Sequence, residues 1–169
     1  MKIDKYGTIY CDMDGVLVDF MAGAEKALGH PFDAPTQVVK DKELRKAHIE
    51  NIPTFWQTLP EMYGAQILWN KINKYNAHIL TAYAGWDRNS KSGKAVWVKK
   101  HIGLNDMSRF HAVLRHEKQD YAKDSKGKPN ILIDDYVKNI QEFNRSGGIG
   151  IHHVSAKVTL LKLKELGFI

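Results

Sequence analysis

A chain of 169 residues, 43% of them hydrophobic and with a formal net charge of +6, is long enough for one packed domain and too apolar for a disordered one. Its pI of about 9.3 favours anionic partners such as nucleotides, other phosphate esters or nucleic acid, although lysines serving solubility alone would give the same balance. No apolar run approaches the roughly 18 residues that span a bilayer, and Met1-Lys2-Ile3-Asp4 lacks the apolar core of a signal peptide, so no membrane partner is expected.

The first apolar run, Thr8 to Cys11, is rich in β-formers and reads as a strand that stops at Asp12-Met13-Asp14-Gly15. From about Phe20 to Tyr75 the rhythm changes. That interval holds Pro31, Pro35, Pro53 and Pro60 and no convincing strand, and reads as a small helical insertion over a sheet, ending in a helix over 61–75. Ala77 to Thr81 is a second strand, followed by a loop with Gly85 and Asn89 and a helix over 94–101. Trp97, Val98 and Ile102 recur at helical spacing and belong to the core. Phe110 to Leu114 and Asn130 to Ile133 are two more strands, separated in part by a polar loop over 123–129. A helix over 137–145, a fifth strand over 149–154 and an amphipathic tail complete the chain, with Ser155 as N-cap and Gly167 past the end. Alternating strands and helices predict an α/β fold with a mostly parallel sheet covered on both faces. The single Cys11 cannot form an internal disulfide, which fits a reducing cytoplasm.

In open α/β sheets ligands gather outside the carboxyl ends of the strands. Three of the strands end in polar groups: Asp12-Met13-Asp14, Thr81, and Asp134-Asp135. If those strands are parallel neighbours, four carboxylates and a hydroxyl share one edge, an accumulation of like charge that a cation would relieve. Hard oxygen ligands suit Mg²⁺. Singly, each signal is weak, because an Asp-x-Asp after a strand commonly caps a loop and acids commonly open helices. A Ca²⁺ loop fails on spacing, since Val16 and Gly23 stand where it needs acids. Gly93-Lys94 lacks the rest of a P-loop, and an apolar strand follows Gly147-Gly148-Ile149-Gly150 where a dinucleotide fingerprint needs a helix. His152 and His153 are adjacent on a strand and face opposite ways.

The run Asp12-x-Asp14-Gly15-Val16, the Thr81 that ends ILT, a basic residue, and the Asp134-Asp135 that ends ILIDD resemble the four motifs of the haloacid dehalogenase superfamily in order and spacing. DMDGVLVDF at 12–20, FWQTLPEMYGA at 55–65, KAVWVKKHIGL at 94–104, LRHEK at 114–118 and ILIDDYVKNIQEF at 131–143 are similar to the 5′(3′)-deoxyribonucleotidases and their bacterial and phage relatives. The stretch after Thr81, AYAGWDRNSKSG, departs from that family's usual substrate loop. The resemblance implies a three-layer Rossmann-like core over 1–18 and 77–169 with a helical cap inserted at 19–76.

It also implies roles. Asp12 would be the nucleophile, taking the phosphoryl group as an aspartyl-phosphate, and Asp14 would protonate the leaving alkoxide and later take a proton from water. Mg²⁺ would be held by Asp12, the backbone carbonyl of Asp14, and Asp134, with Asp135 acting through a water or orienting a ligand. Thr81 would bind a phosphate oxygen and Lys118 would neutralise charge, with Lys123 near enough in sequence to compete for that part. Phe20, Phe55, Trp56 and Ala82 are the implied substrate-binding residues; Phe55 and Trp56 equally fit packing of cap on core. Arg88 and Lys94 fall near the entrance, where they would meet a second anionic group or solvent. The expected activity is Mg²⁺-dependent hydrolysis of a small phosphate ester, foremost a deoxyribonucleoside monophosphate. Another small ester, a nucleic-acid 3′-phosphate and a non-catalytic nucleotide-binding module are the alternatives. A capped site would obstruct a polymer, so nucleic acid is the weaker partner, and a homodimer is compatible with the reading.

Overall fold

The computed structural model describes residues 5–29 and 39–169; residues 1–4 and 30–38, with Pro31 and Pro35 among them, lie outside. Five strands, β1 (Ile9–Cys11), β2 (His78–Ala82), β3 (Phe110–Val113), β4 (Ile131–Asp134) and β5 (Ile149–His152), form a parallel sheet in the order β3-β2-β1-β4-β5. Both faces are buried, and side-chain alternation decides which core each residue joins. Ile9, Cys11, Ile79, Ile131, Ile133 and Ile151 enter the larger core, while Tyr10, Leu80 and Leu132 enter the smaller one. The larger core is closed by α3 (Ala65–Ile72), α4 (Ser90–Ile102) and α6 (Ala156–Glu165) through Trp69, Trp97 and Leu163. The smaller is closed by α5 (Val137–Arg145) through Phe143, and by Ala122 just past the 3₁₀ turn Arg115–Tyr121. This is the three-layer α/β architecture that the strand pattern predicts.

The register fixes where the chemistry converges. Cys11 lies opposite Ile79 on one side and Ile133 on the other, and the Asp12 amide donates to the Ile133 carbonyl at 2.9 Å. Asp12, Thr81 and Asp134 therefore leave the sheet at one edge. β5 extends the same edge: His152 is exposed, and buried His153 bonds the Thr159 hydroxyl at 2.7 Å, so the adjacent histidines point apart.

Two helices cover that edge. α1 (Phe20–Leu28) starts at Asp19, whose carboxylate accepts from the Ala22 amide at 3.0 Å, and stops at Gly29 in the left-handed region. α2 (Val39–Glu50) is tied to it by His48, whose Nε2 lies 2.9 Å from the Ala27 carbonyl oxygen. The 51–60 segment then locks the covering onto the core. Trp97 donates to the Leu59 carbonyl at 2.8 Å, and Trp56 donates to Asp87 at 2.6 Å. Gly93 makes the second contact possible, since a Cβ there would stand 2.6 Å from that of Trp56.

The helix expected over 61–75 begins later, at Ala65, because Gly64 before it is left-handed at φ 80°. α3 packs against α6, and Trp69 donates to the Ile102 carbonyl at 3.1 Å. It thus lies in the layer with α4 and α6, and within 19–76 it is α1 and α2 that stand over the strand ends. Among the described residues, no helix is long and apolar enough to cross a membrane.

Candidate active site

The DMDGVLV segment is held as a tight loop: the amides of Val16, Leu17 and Val18 all donate to the Met13 carbonyl, at 3.1, 2.8 and 2.9 Å. Met13, Val16, Leu17 and Val18 are buried, which pins the loop and leaves Asp12 and Asp14 at the strand end. Gly15 has φ +77°, and a Cβ there would fall 2.0 Å from Asp135 Oδ2. Only glycine lets Asp135 approach the loop after β1 so closely.

Lys118 comes from the 3₁₀ turn, capped where the amide of the preceding Leu114 donates to Glu117 at 2.7 Å. Arg115 bonds Glu142 at 2.7 Å and ties the turn to α5. The Lys118 ammonium, almost fully buried, lies 2.9 Å from Asp12 Oδ1 and 2.7 Å from Asp134 Oδ2. Burial opposes its charge, but the two carboxylates outweigh burial and hold it above the usual lysine range. Asp134 also accepts from the Tyr136 amide at 2.9 Å and from Asn139 at 3.0 Å. Lys123, the sequence-based competitor, is exposed and stands against Gly147, so the structure puts Lys118 in the cluster and leaves Lys123 out.

Asp12, Asp134 and Asp135 offer oxygens within 4.8 Å of one another. Burial, and then repulsion by Asp12, raise Asp134 and Asp135 to about 6 each. Three hard oxygen donors crowded to that degree fit a divalent cation, which would relieve the repulsion. The Asp14 side chain is not part of this group. It binds Lys94, so only its backbone carbonyl, the group the resemblance implies, is left to serve a metal.

Lys94 departs from expectation. The sequence puts it near the entrance, in reach of a second anion or solvent, yet it is fully buried. Its ammonium donates to Asp14 Oδ2 at 2.6 Å, to the Ala82 carbonyl at 2.9 Å and to the Thr81 hydroxyl at 3.1 Å, and lies 5.3 Å from the Trp56 ring centre. The reason is the register: Asp14 lies in the loop after β1 and Thr81 near the end of its neighbour β2, and α4 brings Lys94 between them. Asp14 Oδ1 is buried and has no hydrogen-bond partner. Arg88, paired with Lys94 in the sequence reading, is exposed. Asn139 and Lys94 carried no local signal, because each meets its carboxylate through tertiary packing.

Two adjoining cavities open on this cluster. One, about 320 Å³, is lined by Asp12, Asp14, Phe20, Ala82, Lys118 and Asp135 among others. The second, about 490 Å³, shares Asp14, Phe20 and Ala82 and continues to Trp56 and Trp86. Phe20 and Trp56 stack with ring centres 5.8 Å apart. Phe55 is a correction: it is buried, packs edge-on to both rings and lines neither cavity, so it supports the aromatic wall from behind. Cys11 accompanies the site without chemistry, since burial and then Asp12 raise its thiol well above the usual range.

No family model matches the chain. A curated relative from Vibrio phage KVP40, named “Putative 5'(3')-deoxyribonucleotidase”, is 28% identical over 140 residues, covering 82% of this chain and 71% of its own. Among solved structures, an L-2-haloacid dehalogenase from Xanthobacter autotrophicus with chloropropionic acid covalently bound superposes at a TM-score of 0.58. It is 11% identical, covering 97% of this chain and 84% of its own. A hydrolase from Streptococcus pneumoniae TIGR4 superposes at 0.53 with 13% identity, covering 98% and 100%. Five parallel strands in this order, with flanking helices and the acids at one edge, give the chain the fold of the haloacid dehalogenase superfamily.

Proposed function

We propose that the chain is a Mg²⁺-dependent phosphomonoesterase that removes phosphate from deoxyribonucleoside monophosphates through an aspartyl-phosphate on Asp12. The observation that carries this reading is the division of labour between the two carboxylates. Asp12 sits with Lys118 among the acids of the candidate metal group, whereas Asp14 is held apart by Lys94 with one oxygen free of hydrogen bonds.

Asp12 attacks phosphorus, forming the new O–P bond as the ester O–P bond breaks, and Asp14 gives a proton to the departing alkoxide. Water then attacks the aspartyl-phosphate, Asp14 takes its proton, and free phosphate leaves. Lys118 stays charged throughout and offsets charge on the transferring group, and Thr81 offers its hydroxyl to a phosphate oxygen. Mg²⁺, held by Asp12 and Asp134 with Asp135 beside them, would supply charge screening between nucleophile and phosphate. A dehalogenase has no leaving alkoxide to protonate, so Asp14 favours the phosphatase over that chemistry. The stacked Phe20 and Trp56 beside the cavity that holds Asp12 and Lys118 support an aromatic leaving group such as a nucleoside, and the phage relative supports the nucleotide.

The test is phosphate release from 5′- and 3′-deoxynucleoside monophosphates with Mg²⁺ or with EDTA. Turnover that needs the metal and is lost in Asp12→Asn is expected. Hydrolysis of an aryl phosphate with every nucleotide inert would remove the nucleotide reading, and inactivity on both would remove the enzyme.

A further inference from the structure

The larger cavity has a wall that phosphate transfer does not use. Besides Asp14 and Ala82, the lining includes Lys42, Arg45 and Lys46 of α2, three cations at helical i, i+3 and i+4 spacing. Arg45 is 7% exposed and already interacts within the protein, so it lends positive charge to this wall, while Lys42 and Lys46 are the more exposed cations. Among the described residues, Asp14 is the one carboxylate lining this cavity, and Lys94 already holds it at 2.6 Å. Lys46 also meets Glu43 at 3.0 Å on its exposed side, a surface pair of small worth. Lys91 lies 5.3 Å from the ring centre of Tyr83, another lining residue. The rest of the lining is largely aromatic and apolar, with Phe20, Ile49, Trp56 and Trp86.

The two cavities share Asp14, Phe20 and Ala82, so the phosphate site adjoins a space lined by aromatic rings and by three cations, which fits a ligand that carries a phosphate, an aromatic ring and a further anion. We infer that Lys42, Arg45 and Lys46 form a second anion subsite, and that the preferred substrate carries a further phosphate beyond the one removed, as a nucleoside 3′,5′-bisphosphate does. This rests on the phosphomonoesterase reading above and adds the substrate class to it. The cap helix then selects substrate by charge, while the strand ends do the chemistry.

The experiment compares a deoxynucleoside 3′,5′-bisphosphate with the matching 5′- and 3′-monophosphates, by KM in Mg²⁺ and by calorimetric titration in EDTA. The bisphosphate is expected to bind about tenfold more tightly than either monophosphate, one charge-assisted contact's worth. That ratio should fall toward one in Lys42→Glu and in Lys46→Glu, and in the wild type at high salt. A ratio near one in the wild type, or one that both variants leave unchanged, would overturn the inference. A 5′-phosphorylated dinucleotide separates the sources of the second phosphate. Weaker binding than the bisphosphate is expected, and tighter binding would move the substrate to a polynucleotide end and overturn the bisphosphate assignment. The titration in EDTA reads binding without turnover, so this inference can fail or stand separately from the hydrolytic reading.

Discussion

Replacing Lys94 with methionine removes an ammonium that bonds three oxygens and keeps most of the side-chain volume. All three bonds are donated by the charged ammonium; the one to Asp14 at 2.6 Å also pairs opposite charges, while those to the Ala82 carbonyl and Thr81 hydroxyl are 2.9 and 3.1 Å long. Bonds from an ionised donor contribute about 1.5–3 kcal/mol each, offset in part by the cost of burying the ammonium, which methionine does not incur. The Asp14 side chain is 34% exposed, so water replaces part of what it loses and its share belongs at the low end. The buried acceptors at Thr81 and Ala82 have no such replacement. Lys94→Met should therefore cost about 3 kcal/mol, a fall in Tm of roughly 6–12 °C for a chain of this size. Urea unfolding followed by tryptophan fluorescence measures it directly. A loss under about 1 kcal/mol would refute the reasoning, because it would mean that the ammonium is not committed to these oxygens.

Gly15→Ala is expected to be damaging twice over: it puts a side chain at φ +77° and drives a Cβ into Asp135. The backbone cost is about 1 kcal/mol, and Mg²⁺ affinity measured by calorimetry should weaken about tenfold as Asp135 is displaced; unchanged affinity would remove Asp135 from the metal group. Away from the site, His78 and His111 stack with their facing nitrogens 3.0 Å apart. Burial first, then His111 and Arg109, lower His78 from 6.5 to about 4, and burial lowers His111 as well. A lowered folded pKa means that the unfolded chain binds protons first, so this stability is complete above pH 6.5 and is lost as pH falls through about 4. For a half-buried ring the loss is about 2 kcal/mol. It should appear in the difference between wild-type and His78→Asn urea midpoints from pH 7 to 4.5; parallel profiles would contradict it.

The strand ends were legible because their signal is local. DMD, ILT and ILIDD each join a β-rich run to a polar stop, and a parallel sheet brings such stops together. Lys118 was legible through LRHEK, whereas its separation from Lys123 is tertiary: a 3₁₀ turn aims one inward and leaves the other on the surface. Lys94 escaped because its partner Asp14 lies 80 residues earlier and nothing in SKSGKAVW marks a lysine as buried. The covering helices were the least legible. α1 contains Gly23, and α2 reads VKDKELRKAHIE, a polar sequence whose basic stripe looks solvated until the cavity beneath it is seen. Phe55 and Trp56 show the limit of aromatic patterning, since adjacent rings divided into one that lines the cavity and one that buttresses it.

The central claim is that Asp12 carries the phosphoryl group, and Asp14→Asn offers the means to trap it. An aryl phosphate leaves without a proton donor, so the first step should proceed in this variant while hydrolysis of the intermediate slows for want of a base. Acid quenching after mixing with Mg²⁺ and an aryl phosphate, followed by mass spectrometry of intact and digested protein, reads the outcome. The account predicts one added phosphoryl group, on the peptide that contains Asp12. Release of phosphate with that peptide unmodified throughout, or an adduct on any other residue, would contradict it.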